Sequence, residues 1–194
     1  MSVHQQPELK AAILGLPDKE KDKLLIRLIN KDKMLIKRLH FQLLEDEADL
    51  SDRIDDLRER LTQLFELSTK SIRNQAHQSN IIGLTKLIRQ ANGMVNEHEK
   101  ITKHKLSEIE FRILILQQSF EHFSVVISRE DLAASRKLHQ YIAGRIKYII
   151  GHANKLHEDL RFDYQDDIQT LLQASYETSI GNCLKQHKIS KDWW

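Results

Sequence analysis

Residues 107–127 read SEIEFRILILQQSFEHFSVVI. Within them Ile109, Ile113, Leu116, Phe120, Phe123 and Ile127 recur at gaps of 4, 3, 4, 3 and 4, which stacks them on one face of an α-helix. Phe111, Leu114 and Ile115 add apolar surface on other faces, and a helix that is apolar on several sides is a buried one. Ser107 followed by Glu110 has the pattern of a capping box, with Leu106 and Phe111 as its hydrophobic staple. Ser128 with Asp131, and Ile127 with Leu132, repeat that pattern at the far end. So short a junction predicts antiparallel packing of the helices on either side of it.

Working towards the C-terminus, Leu138, Ile142, Ile146, Ile149, Ala153, Leu156 and Leu160 predict one helix reaching about residue 162. At 1.5 Å per residue it would be about 50 Å long against about 30 Å for its neighbour, and must overhang, bend or meet two partners. Gly144 and Gly151 share a face and predict a bend or a close helix crossing. A last helix over about 166–186 carries Ile168, Leu171, Leu172, Tyr176 and Ile180, and a tail of residues 187–194 ends in Trp193 and Trp194.

Towards the N-terminus, Ile81, Leu84, Ile88, Ala91, Val95 and His98 form a second seam, and Leu50, Ile54, Leu57, Leu61 and Leu64 a third. The third starts at Asp49 or a neighbouring acid. A break between these two is expected at Ser68-Thr69-Lys70-Ser71, in preference to Gln78-Ser79-Asn80. Residues 18–44 read as a compact helical hairpin, opened by Pro17-Asp18, with Asn30 as a C-cap and Asp32 as an N-cap. Its apolar positions are Leu24, Leu25, Leu28 and Ile29, then Leu35, Ile36, Leu39, Leu43 and Leu44. A short helix over Pro7–Leu14 precedes it, ended by Gly15-Leu16-Pro17.

After Pro17 there is no further proline, and only five of the six glycines are spread over the remainder. The expected fold is therefore all-α: one domain over residues 1–194, an antiparallel bundle of about seven helices. Its N-terminal hairpin at 18–44 packs on a central antiparallel core at 81–162. The alternative is a short α-solenoid, since the hairpin resembles one unit of a HEAT-like repeat.

A formal charge of +2 with 40% hydrophobic residues gives no bulk attraction to nucleic acid or membrane. No apolar run approaches the roughly 20 residues needed to span a bilayer. The opening Met1-Ser2-Val3-His4-Gln5-Gln6-Pro7 lacks a signal-peptide layout, and the single cysteine, Cys183, excludes an intrachain disulfide framework. The expectation is a cytoplasmic protein.

Ten histidines invite a metal reading, but neither His-x-x-x-His nor Glu-x-x-His occurs. His104 and Glu108, four apart, are the pair on which a metal-assisted hydrolase would rest. His98 continues an apolar seam and reads as a core histidine. Lys185 and His187 lie close enough in sequence to lower the Cys183 thiol pKa, the one nucleophile reading. No elbow or phosphate-loop motif is present, so no catalytic residue, cofactor or metal is expected.

Charge is laid out in blocks. Lys19, Lys21, Lys23, Arg27, Lys31, Lys33, Lys37 and Arg38 make the hairpin basic. Glu45, Asp46, Glu47, Asp49, Asp52, Asp55, Asp56 and Glu59 make the next segment acidic. The blocks either face each other, solvate their helices, or meet a partner, and weak nucleic-acid binding through residues 19–38 is the least favoured of these. Tyr141, Arg145, Tyr148, His152 and Asp159 form an aromatic-polar stripe on the long helix. Trp193 and Trp194 either dock back onto the domain or anchor a partner. The expected function is a non-catalytic helical protein–protein interaction or regulatory module, acting on an unidentified protein through Tyr141, Arg145, Tyr148, His152, Trp193 and Trp194. Self-association into a homo-oligomer is a further option.

Overall fold

The computed structural model describes residues 2–130 and 133–193. Among them the chain is all-helical, without a strand. After a 3-10 turn at Val3–Gln5 come α1 (Pro7–Leu14), α2 (Asp18–Ile29), α3 (Lys33–Leu44), α4 (Glu47–Arg73) and α5 (His77–Thr102). Then follow α6 (Lys105–Ile127), α7 (Ala133–Ala153), α8 (Glu158–Phe162), α9 (Gln165–Tyr176) and α10 (Ile180–Gln186). In a solenoid each unit meets only its sequence neighbours. Here α5 packs against α3, α4, α6 and α7, and α7 against α5, α6, α9 and α10, which is a bundle.

Both expected caps of the hairpin form as read: Asn30 ends α2, and Asp32 accepts the amides of Met34 and Leu35 at the start of α3. The acid that starts α4 is Asp46, three residues ahead of Asp49, and the two close a capping box. The seams also bury as read: Ile81, Leu84, Ile88, Ala91 and Val95 on α5, and Ile109, Ile113, Leu116, Phe123 and Ile127 on α6. His139 on α7 meets the Ile127 carbonyl at one end of α6, while Tyr148 meets Glu108 at the other, so α6 and α7 run antiparallel.

Several boundaries differ from expectation. The expected break at Ser68–Ser71 is helical, because Thr69 returns its hydroxyl to the Phe65 carbonyl and Ile72 buries one turn later; the chain breaks at residues 74–76. The residue capping α6 is His104, not Ser107, whose hydroxyl is held between His98 and His104 instead. The second expected box falls on Asp131 and Leu132, outside the described residues. The helix expected to reach 162 stops at Ala153, so α6 and α7, 23 and 21 residues long, match in length and no overhang arises. Gly144 and Gly151 mark no close crossing, since a Cβ at either would meet nothing within 4 Å. The kink lies in α6 at Phe123 (φ −132°, ψ 24°), where Arg73 donates to the His122 carbonyl. The last helix is split at residues 177–179, and Gly181 permits the turn, since a Cβ there would lie 3.0 Å from Tyr176 Cα.

The N-terminal hairpin is not compact against the body. α3 packs on α5, but α1, α2 and α3 contain no buried residue. The charged blocks do not face each other either: among the described residues no Lys or Arg of the first pairs with an acid of the second, and the contact between the segments is the hydrogen bond of His40 with Glu45. Lys37 instead reaches Glu97 on α5.

Candidate recognition surface

Charged residues inside an apolar stretch have to find partners, because an unpaired buried charge is costly. Glu108 and Arg112 lie one turn apart in α6 with side chains only 2% and 5% exposed. Glu108 Oε1 accepts from Arg112 Nη2 at 2.7 Å and from the Tyr148 hydroxyl of α7 at 2.7 Å, and Oε2 accepts from Lys105 at 3.1 Å. Arg112 spends its remaining donors on α5, giving Nη1 to Asn92 and Nη2 to Asn96, both at 2.8 Å. Burial pushes the Glu108 carboxyl up, but the hydrogen bonds from Arg112, Tyr148 and Lys105 outweigh it and hold its pKa at about 2. Burial, and the bond to Glu108, raise the Tyr148 phenol. One salt-bridged network thus ties α5, α6 and α7 together.

On the outer side of this network lies a layer of rings and guanidiniums. The Arg112 guanidinium sits 4.5 Å from the Tyr148 ring centroid, and His152 stacks on the same ring at 3.9 Å and 21°. Arg145 lies 5.2 Å from the Tyr141 centroid and 5.9 Å from that of Tyr148. Arg89 of α5 approaches Tyr141 at 5.4 Å. Among the described residues neither Arg89 nor Arg145 has an ion pair, and Arg145 Nε is shielded from solvent without an acceptor. Guanidiniums held on aromatic faces are fixed in direction before any ligand arrives.

The expected stripe is therefore partly assembled as read: Tyr141, Arg145, Tyr148 and His152 share one face of α7. Asp159 does not join them, because the helix has ended and it sits exposed on α8, bonded to His157. What the α7 spacing could not show are the residues that complete the surface from other helices, Arg89, Asn92 and Asn96 on α5 and Glu108 and Arg112 on α6. A signal for them does exist in the sequence. Residues 77–96 and 133–153 contain no Asp or Glu, although the chain has 28, so cations on these two helix faces lack local partners.

The other candidates resolve differently. Trp193 is half-buried against the core, with its indole N–H on Asn154 and its amide on Gln169, so it docks on the domain; Trp194 lies outside the described residues. His98 is a core histidine, edge-on to Phe111 and bonded to Ser107, and burial lowers its pKa to about 4. His104 is spent on capping α6 and Glu108 on Arg112, and no group of three metal-ligating side chains occurs among the described residues. Burial raises the Cys183 thiol, opposite to the lowering expected from Lys185 and His187; Lys185 lies over Tyr176. A cleft of about 310 Å³ between α3, α4 and α5 is lined by charges already paired within it, Lys37 with Glu97 and Arg60 with Asp56. Among the described residues no helix is long and apolar enough to cross a membrane. Comparison with protein-family models, with curated proteins and with solved structures finds nothing that matches this chain.

Proposed function

We propose that this chain is a non-catalytic helical interaction module that binds an acidic segment of a partner protein across α5 and α7. The observation that carries the reading is the pair Arg89 and Arg145, converging on Tyr141 from two helices without a carboxylate of their own. A guanidinium so placed offers a forked donor to an incoming carboxylate at little ordering cost. Nucleic acid is the less favoured anion. Single-strand binders need free aromatic faces for bases, whereas Tyr141 is flanked by Arg89 and Arg145, and Tyr148 by Arg112 and His152. The near-neutral net charge of +2 also gives little long-range attraction to a polyphosphate.

The test is a calorimetric titration of a glutamate-rich peptide, beside a single-stranded oligonucleotide, into the full chain and into R89Q/R145Q. The reading expects the peptide to bind the parent chain at low salt. It expects each lost guanidinium to weaken binding about tenfold, about 1.4 kcal/mol. Tight binding of the oligonucleotide alone, or peptide binding indifferent to both substitutions, overturns it.

A further inference from the structure

Beside the α6 kink a cavity of about 380 Å³ opens between the last turn of α4, the first turn of α5 and the end of α6. Arg73 and Arg129 line it, and no Asp or Glu does. Each guanidinium is anchored on one side and open on the other. Arg73 gives Nε and Nη2 to the His122 carbonyl, over the Phe123 ring, and keeps Nη1. Arg129 gives Nη1 to Asn80 Oδ1 at 3.3 Å and keeps Nε and Nη2. Among the described residues neither has an ion pair, and the acid beside Arg129, Glu130, is bonded to Ser179. Asn80 is an independent sign. It lines the same cavity and is 3% exposed, and a side-chain amide buried so deeply normally uses both its ends. Its oxygen is spent on Arg129, which can only donate, so Nδ2 is the free end. Among the described residues Nδ2 has no acceptor, although it is not sealed from solvent.

Solvent serves any one of these donors. Two oriented guanidiniums and a buried amide around one cavity, with Phe123 and Val126 as an apolar wall, are what an anion with an organic body requires. We propose that the cavity binds a small phosphate monoester. The phosphate takes the free edges of Arg73 and Arg129 and the Asn80 amide, and the organic group lies on Phe123 and Val126. A phosphate monoester carries about two negative charges near neutral pH, which matches two guanidiniums better than a single carboxylate does. The volume falls within the range of about 300–1,000 Å³ usual for small organic ligands. The site shares no residue with the α5–α7 face and lies at the opposite end of α6 from Glu108, so its test is separate from that of the proposed function.

Calorimetric titration of the full chain with phenyl phosphate, inorganic phosphate and phenol tests it, at low salt and about pH 8, where the ester is fully ionised. Phenyl phosphate is expected to bind one to one with a Kd below about 1 mM. Inorganic phosphate should bind at least about tenfold more weakly, because it leaves the apolar wall uncovered, and phenol should not bind. R129Q removes one guanidinium, and N80D seats a carboxylate against Arg129 with almost no change of shape. Each should weaken phenyl phosphate about tenfold or more, with the helicity checked by circular dichroism. R89Q/R145Q should bind it as the parent chain does. No saturable binding of phenyl phosphate up to about 10 mM overturns the proposal. So does equal affinity for phenol or for inorganic phosphate, an affinity indifferent to both R129Q and N80D, or loss of binding in R89Q/R145Q.

Discussion

Replacing Arg112 by Met leaves Glu108 in a nearly solvent-free site with only Lys105 and Tyr148 as donors, and strips Asn92 and Asn96 of theirs. Replacing Glu108 by Leu leaves the Arg112 guanidinium buried without a counter-charge and the Tyr148 hydroxyl without its acceptor. Breaking a buried pair from one side costs about 3–5 kcal/mol, because the survivor stays desolvated. Each single variant should lose about that much. In E108L/R112M both charges are gone and the residual cost is the unmet Tyr148 hydroxyl and Asn92 amide, about 2–3 kcal/mol together. The single losses should therefore exceed the double by several kcal/mol when summed, the signature of direct coupling. Urea denaturation followed by circular dichroism measures all four corners of the cycle. Single losses below about 1 kcal/mol, or losses that simply add, would refute the network as the tie between α5, α6 and α7.

Further outcomes follow from other sites. His98 has its pKa lowered by burial, then by His104 and Arg53, from 6.5 to about 4. Below pH 6.5 the unfolded chain gains a proton that the folded chain refuses, so stability declines from pH 6.5 towards pH 4, by about 3 kcal/mol in total. H98Q should flatten the slope between pH 6.5 and 4.5, above the range in which Glu108 and Glu45 titrate, and an unchanged slope there contradicts it. Glycine substitutions should part in sign. G181A drives a methyl against the Tyr176 backbone and should cost about 1–3 kcal/mol. G151A meets open space on a helix and should gain about 0.5–1 kcal/mol, both read from thermal melts. W193A removes the contacts with Asn154 and the core and should lower the melting temperature while leaving the sedimentation mass unchanged; the reverse pattern would make Trp193 a partner anchor.

How far the fold could be read depended on the range of the forces involved. Seams repeat within one helix, so the buried faces of α5 and α6 were legible residue by residue. Asp32 was legible because a carboxylate two or three residues ahead of free amides has one local use, whereas among the acids around Asp49 nothing local singled out Asp46. Ser107 misled because its hydroxyl is claimed by His98, nine residues away across a turn. The polar run at Ser68–Ser71 misled because hydroxyls can return to their own helix, as Thr69 does. The overlong seventh helix came from counting Leu156 in register, although Leu156 reaches the core after the helix has ended. At the site, i,i+4 spacing exposed the α7 stripe, while Arg89 and Asn92 needed the packing of α5 on α7 to join it. The absence of acids from residues 77–96 and 133–153 was the readable sign of that surface, and it becomes meaningful once the two helices are neighbours.

Two basic surfaces compete for any acidic partner, the α2–α3 hairpin and the α5–α7 face, and side-chain NMR separates them most directly. A glutamate-rich peptide is titrated into the full chain at low salt, and the Arg Nε–H and Tyr ring resonances are followed. Binding at α5–α7 predicts saturable shifts at Arg89, Arg145, Tyr141 and Tyr148, with Arg27 and Arg38 of the hairpin unmoved. Shifts confined to Arg27 and Arg38, or no saturable shift at Arg89 and Arg145, would contradict it.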